Sequence, residues 1–145
     1  MATFSRSVTV NWEGGIMDGK GTAKAGSGAF NLPVSFPRRI GDAEGVTSPE
    51  EFMAAAHAAC YAMALNATLG NKKASADRTV VTAKISAELA AGIKIQSSHL
   101  SVIVYGLKGL EASQFEAVAQ EAEKNCPVSN AYRGSLQITL DAKVG

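Results

Sequence analysis

Two thiols, an adjacent pair of arginines and a glutamate near the start of an alanine-rich segment are the groups in this chain that could do chemistry. The thiols are Cys60 and Cys126, and there is no third cysteine. In a reducing compartment such a pair stays reduced, so a structural disulfide is a poor reading. Two readings remain: inert buried thiols, or a redox pair. Cys126 precedes Pro127, which suits the first position of a helix and makes Cys126 a candidate N-cap. A thiolate there faces free backbone N–H groups and the positive end of the helix dipole, which favour the charged form. Otherwise the thiol merely ends the preceding helix. Cys60 lies within Ala56-His57-Ala58-Ala59-Cys60-Tyr61 and by residue type reads first as a small apolar core residue. On local physics alone, Cys126 is the better candidate for a reactive thiol.

Thiolates also attack O–O bonds, and peroxide reduction takes this form. A cation beside the sulfur favours the thiolate, and a carboxylate can hold that cation in place. Arg38 and Arg39 lie nine residues or more before Ser48, and Glu50 lies just after it. The ten residues from Glu50 to Cys60 span about 15 Å of continuous helix. Glu50 is therefore no direct base for Cys60, but it could anchor an arginine. The plain alternatives are a solvated arginine pair and a first-turn acid that compensates the helix dipole. His57, three residues before Cys60, shares its helix face. It reads as a Cys–His partner or as a polar group hydrogen-bonded inside a packed interface, with the second reading favoured. Metal binding is not expected: His57, His99 and the two cysteines have no ligand-type spacing, and no C-x-x-C motif occurs.

The elements that must carry these groups can be read from periodicity. Ser7 to Trp12 alternates polar and apolar, as a half-buried strand does. Gly21 to Ala25 and Ala29 to Val34 follow as strands around the Gly26-Ser27-Gly28 turn, the second ended by Pro33 and Pro37, and a glycine-rich loop is expected from Arg38 to Thr47. Ser48-Pro49-Glu50-Glu51 combines an N-cap serine, a proline at the first helical position and a capping-box glutamate. The helix it opens is expected to run to about Leu69, with Gly70 as C-cap. Its many alanines predict burial on most sides and a close crossing by another helix. Arg78 to Leu89 and Ile93 to Tyr105 alternate as two long strands joined by Ala90-Ala91-Gly92. Ser113-Gln114-Phe115-Glu116 predicts a second capped helix, interrupted at Cys126-Pro127. A helical turn to about Tyr132 and a last strand from Leu136 to Leu140 complete one α+β domain over residues 1–145.

Composition excludes other classes. Lys and Arg total 14 against 13 Asp and Glu, so the charge balance gives no footprint for nucleic acid and no acidic tail. Arg6, Asn11 and Glu13 break any secretory signal. The segment from Phe52 to Leu69 comes nearest to a membrane span, but it contains His57 and Asn66 and is mostly small residues. A cytoplasmic protein without membrane partners is expected.

At this point the chain resembles a known family. Ser48-Pro49-Glu50-Glu51-Phe52, then Ala54 to Cys60, with Cys126-Pro127-Val128-Ser129 downstream, is similar to the OsmC/Ohr family of osmotically inducible and organic hydroperoxide resistance proteins. Trp12-Glu13-Gly14, Gly19-Lys20-Gly21-Thr22 and Ile138-Thr139-Leu140-Asp141 extend the resemblance over nearly the whole chain. It implies a peroxidatic cysteine at Cys60 and a resolving cysteine at Cys126, reversing the order that local physics suggests. It implies an arginine held by Glu50. The Ohr branch takes that arginine from a Gly-Arg motif, where this chain has Gly19-Lys20. Phe36-Pro37-Arg38-Arg39 matches the OsmC pattern instead, with Arg39 in the better position and Arg38 the alternative.

The resemblance further implies an intertwined homodimer, with antiparallel sheets around a long central helix and each active site at the subunit interface. It implies hydroperoxide substrates, organic ones preferred and hydrogen peroxide also used. A small dithiol or lipoyl-type reductant is implied, and no cofactor is expected. Phe36, Phe52, Met53, His57 and Arg38 are candidates for the substrate pocket. The competing expectation is a non-catalytic, stress-induced binding protein on the same fold.

Overall fold

The first strands form where alternation predicts them. In the structure, a computed structural model that describes residues 2–145, β1 (Val8–Glu13), β2 (Lys20–Ala25) and β3 (Asn31–Val34) make an antiparallel sheet in that order. β1 and β2 pair from Val8 opposite Ala25 to Glu13 opposite Lys20. β2 alternates as a half-buried strand should, with Ala23 and Ala25 inward and Lys24 outward. At the β1–β2 turn only glycine fits at position 19, because a Cβ there would overlap the Gly15 carbonyl oxygen. The chain divides into two compact units, one up to Phe52 and one from Met53 to Gly145.

The expected loop after β3 contains a short helix, α1 (Phe36–Ile40). Pro37, expected to end the strand, lies in its first turn, where a missing N–H is no loss. α2 (Pro49–Asn71) starts as expected, with the Ser48 hydroxyl accepting from the Glu51 N–H at 3.1 Å. The Glu51 carboxylate accepts from the Thr47 hydroxyl at 2.7 Å. Gly70 does not cap the helix but lies inside it. The left-handed position falls on Lys73 (φ 57°), and the Leu69 carbonyl is closed by the Ala74 N–H at 2.9 Å.

In the second unit, β4 (Arg78–Leu89) and β5 (Ile93–Tyr105) form the long hairpin, and β6 (Gln137–Val144) adds to β5. β6 runs parallel to β5, so this sheet is mixed rather than purely antiparallel. A register shift at Ser86/Ala87 explains why the inward row of β5 changes phase to Ser98, Leu100, Val102 and Val104. α3 (Ala112–Asn125) begins at a Glu111–Gln114 capping box, not at Ser113. α4 (Pro127–Tyr132) follows with Cys126 as N-cap, as expected.

The core of this unit joins Tyr61, Leu65 and Leu69 of α2 to β5 and to Phe115, Val118, Ala119 and Ala122 of α3. Burying each large side chain stabilises the unit by about 1.5–3 kcal/mol. α2 is long and apolar enough to meet a membrane-span criterion, yet His57, Tyr61, Leu65, Thr68 and Leu69 make it the core helix of this unit. It is buried on one face only, not on most sides. Ala55, Ala56, Ala59 and Met63 remain exposed, as do Val8, Val10 and Trp12 of β1.

Candidate active site

Two side-chain clusters emerge, one in each unit. In the first, α1 turns Arg39 towards the opening turn of α2. Arg39 Nε donates to both Glu50 oxygens, at 2.9 and 3.1 Å, and Nη2 donates to Oε1 at 2.6 Å. This fork is the strong form of a charged pair, fixed in geometry as well as charge. Both side chains are partly buried. Burial alone would raise the Glu50 pKa, but the Arg39 hydrogen bonds, Glu50's own backbone N–H and the Arg39 charge together outweigh it, and the carboxyl lies below its ordinary 4.5. Arg38 is not the partner of Glu50: it bonds Glu44 at 2.7 Å and the Asp42 carbonyl at 3.2 Å. Arg39 borders an apolar cavity of about 570 Å³ lined by Val10, Trp12, Phe30, Phe36 and Phe52. Of the proposed pocket residues, Phe36 and Phe52 therefore line one cavity, while Arg38 and Met53 are not among its walls.

The lowered pKa of Glu50 carries a stability prediction. Its contribution is complete above pH 4.5 and is lost as the pH falls through the lower folded value. Urea midpoints measured from pH 7 to pH 2 should fall more steeply in the wild type than in Glu50→Gln below pH 4.5. Parallel curves would show that the pair carries no proton linkage.

The second unit brings the two sulfurs together. Cys126 is fully buried at the start of α4, its Sγ accepting the Ser129 N–H at 3.5 Å. Cys60 is only partly buried and packs against the same core. It opens on a groove of about 460 Å³ lined by Met63, Ala64, Ala67, Asn71 and Pro127. Burial raises the Cys60 pKa above its ordinary 9.0; the Val128 backbone N–H lowers it, and the Cys126 thiol raises it further. The surroundings that act on Cys60 in this unit therefore hold it as a thiol, and a thiolate needs a cation brought to it.

His57 lines neither of these two cavities. It is fully buried, with Nδ1 against Ser98 Oγ at 2.6 Å and Nε2 against Ser129 Oγ at 2.7 Å. The reading of a hydrogen-bonded core group holds, and no Cys–His pair forms. Sequence reasoning missed Ser98 and Ser129, which stand 41 and 72 residues from His57. It also missed the Val128 N–H, which is a backbone group without a residue-type signal. Among the described residues no cluster of three or more His, Cys, Asp or Glu could hold a metal ion.

Comparisons with known proteins place the chain in a family. A family model described as OsmC-like protein matches residues 41–141. Peroxiredoxin OsmC of Escherichia coli K12 is 38% identical over 141 residues, covering 96% of each chain. The organic hydroperoxide resistance protein of Xanthomonas axonopodis pv. citri is 29% identical, covering 83% of this chain and 84% of its own. A crystal structure of an organic hydroperoxide resistance protein OsmC from Legionella pneumophila superposes with a TM-score of 0.75 at 27% identity, covering 99% of both chains. This chain belongs to the OsmC-like protein family, and its relatives named above are a peroxiredoxin OsmC and organic hydroperoxide resistance proteins.

Proposed function

We propose that the protein reduces organic hydroperoxides, and hydrogen peroxide, through Cys60, as part of a response to oxidative or osmotic stress. One observation carries the reading: of two interacting thiols, Cys60 opens on an apolar groove while Cys126 is fully buried. A peroxide reaches the first sulfur and not the second. The Cys60 thiolate attacks the O–O bond, the leaving alkoxide takes a proton, and the products are an alcohol and a Cys60 sulfenic acid. The Cys126 thiol then displaces hydroxide from the sulfenic sulfur, and its own proton completes a water molecule. An external dithiol of lipoyl type returns both cysteines to thiols by exchange. The names of the relatives support the peroxide substrate, and the apolar walls of the groove suit an alkyl group.

Arg39, held by Glu50, supplies the cation that the Cys60 thiolate needs. Three things support this role: the fork geometry, the low pKa of Glu50 and the family pattern. The working unit is a cytoplasmic homodimer. The exposed alanine face of α2 and the exposed apolar residues of β1 support a partner that covers them.

Cys126→Ser tests the order of the two thiols. It should permit one turnover per chain and leave a sulfenic acid on Cys60 that dimedone traps. Dimedone adduct on Cys126 in Cys60→Ser would reverse the assignment. If neither variant forms an adduct, the non-catalytic binding protein becomes the better reading.

A further inference from the structure

Disulfide closure requires Cα atoms within about 4.4–6.8 Å and Cβ atoms aimed at each other. Cys60 is on α2 and Cys126 begins α4, so whatever ties these helices together governs the step. His57 lies on α2, three residues before Cys60, and is wholly buried, yet no step of peroxide reduction uses it. Its Nε2 meets Ser129 Oγ in α4 at 2.7 Å, and its Nδ1 meets Ser98 Oγ in β5 at 2.6 Å. The Ser129 N–H in turn donates to Cys126 Sγ at 3.5 Å. One imidazole thus links the helix of the first sulfur, the turn of the second and the strand beneath.

Tyr132 adds a second tie. Its hydroxyl donates to the Met53 carbonyl at 2.9 Å, and its ring packs edge-on against His57 with centroids 5.2 Å apart. Burial lowers the His57 pKa below 6.5, with Glu123 acting upward and Arg133 downward, so the ring is neutral at pH 7. A neutral ring donates from one nitrogen and accepts at the other, which orients both serine hydroxyls. A buried histidine could be satisfied by any single pair of groups. Here the pair comes from two separate elements, and one of them holds the resolving thiol.

We propose that His57 is a positioning residue for disulfide closure, bracing the Cys126 turn against α2 through Ser129. The proposal rests on the peroxidase reading. The step it serves joins Cys60 sulfenic acid and Cys126 thiol into a disulfide and water, with no outside oxidant.

The test is rapid-quench mass analysis with one equivalent of cumene hydroperoxide. The readout is the ratio of the disulfide-closure rate to the Cys60 oxidation rate. Ser129→Ala removes the brace with one atom. His57→Asn stays near Ser98 but falls short of Ser129, whereas His57→Gln reaches Ser129. Loss of a buried hydrogen bond at this point should lower the ratio about tenfold or more in Ser129→Ala and His57→Asn, and His57→Gln should stay within about threefold. Dimedone-trapped sulfenic acid should rise in the same order. A general loss of stability would slow both steps and leave the ratio in place. A wild-type ratio in Ser129→Ala overturns the proposal, and that variant decides alone if the His57 variants do not fold. A wild-type chain that forms no disulfide overturns the peroxidase reading itself.

Discussion

Replacing Cys60 by serine should lower hydroperoxide consumption by on the order of 10³-fold or more, to the background rate. A serine hydroxyl does not ionise near neutral pH, and its oxygen is a poor nucleophile towards peroxide. The exchange is nearly isosteric at a partly buried position, so circular dichroism and thermal midpoint should change little. The contrast with Cys126 gives the prediction its force. The N-cap position of Cys126, read locally, makes it the better thiolate, yet the structure closes it from solvent. If Cys126→Ser abolished the first oxidation and Cys60→Ser spared it, exposure would have been the wrong guide.

The second large effect concerns Arg39. Arg39→Met keeps the stem and removes the charge, and kcat/KM should fall by roughly 10²–10³-fold, the usual size for a lost electrostatic donor at developing charge. A shift in the pH profile should accompany it. Burial and the Cys126 thiol raise the Cys60 pKa, and the Val128 N–H only partly opposes them. Without the guanidinium the thiolate fraction at neutral pH drops, so the acidic limb moves to higher pH. Lysine at position 39 should recover part of the rate, because it restores charge but not the fork onto Glu50. An Arg39→Met enzyme with an unshifted acidic limb would remove Arg39 from the account of the thiolate.

How much of this was legible in the sequence differs by element. Local signals worked where the cause is local. Ser48-Pro49 set the start of α2, Cys126-Pro127 the start of α4, and alternation the whole of β4 and β5. Where two local signals competed, the weaker-looking one won: Pro37 opened α1 instead of closing a strand, and Glu111 capped α3 ahead of Ser113. Gly70 has open space around it but stays helical, and the helix ends only where the Leu69 carbonyl finds Ala74.

The candidate site divides in the same way. Residue types marked Cys126 and Glu50, and only the family resemblance put Cys60 ahead of Cys126. The family pattern favoured Arg39 over Arg38, and the physical reason is the direction α1 gives each side chain, Arg39 to Glu50 and Arg38 to Glu44. The serines that engage His57 come from β5 and α4, so nothing near His57 in the chain announces them. β6 pairs in parallel with β5 for the same reason, since strand partners are chosen by tertiary packing.

The central claim is that one peroxide oxidises one chain through both sulfurs. Free thiols counted under denaturing conditions, before and after one equivalent of cumene hydroperoxide, test it most directly when joined to peptide mapping. The account predicts that both thiols disappear and that a Cys60–Cys126 peptide pair is recovered, reversible by a dithiol. Two thiols still present, or a disulfide only between Cys60 residues of different chains, would contradict it.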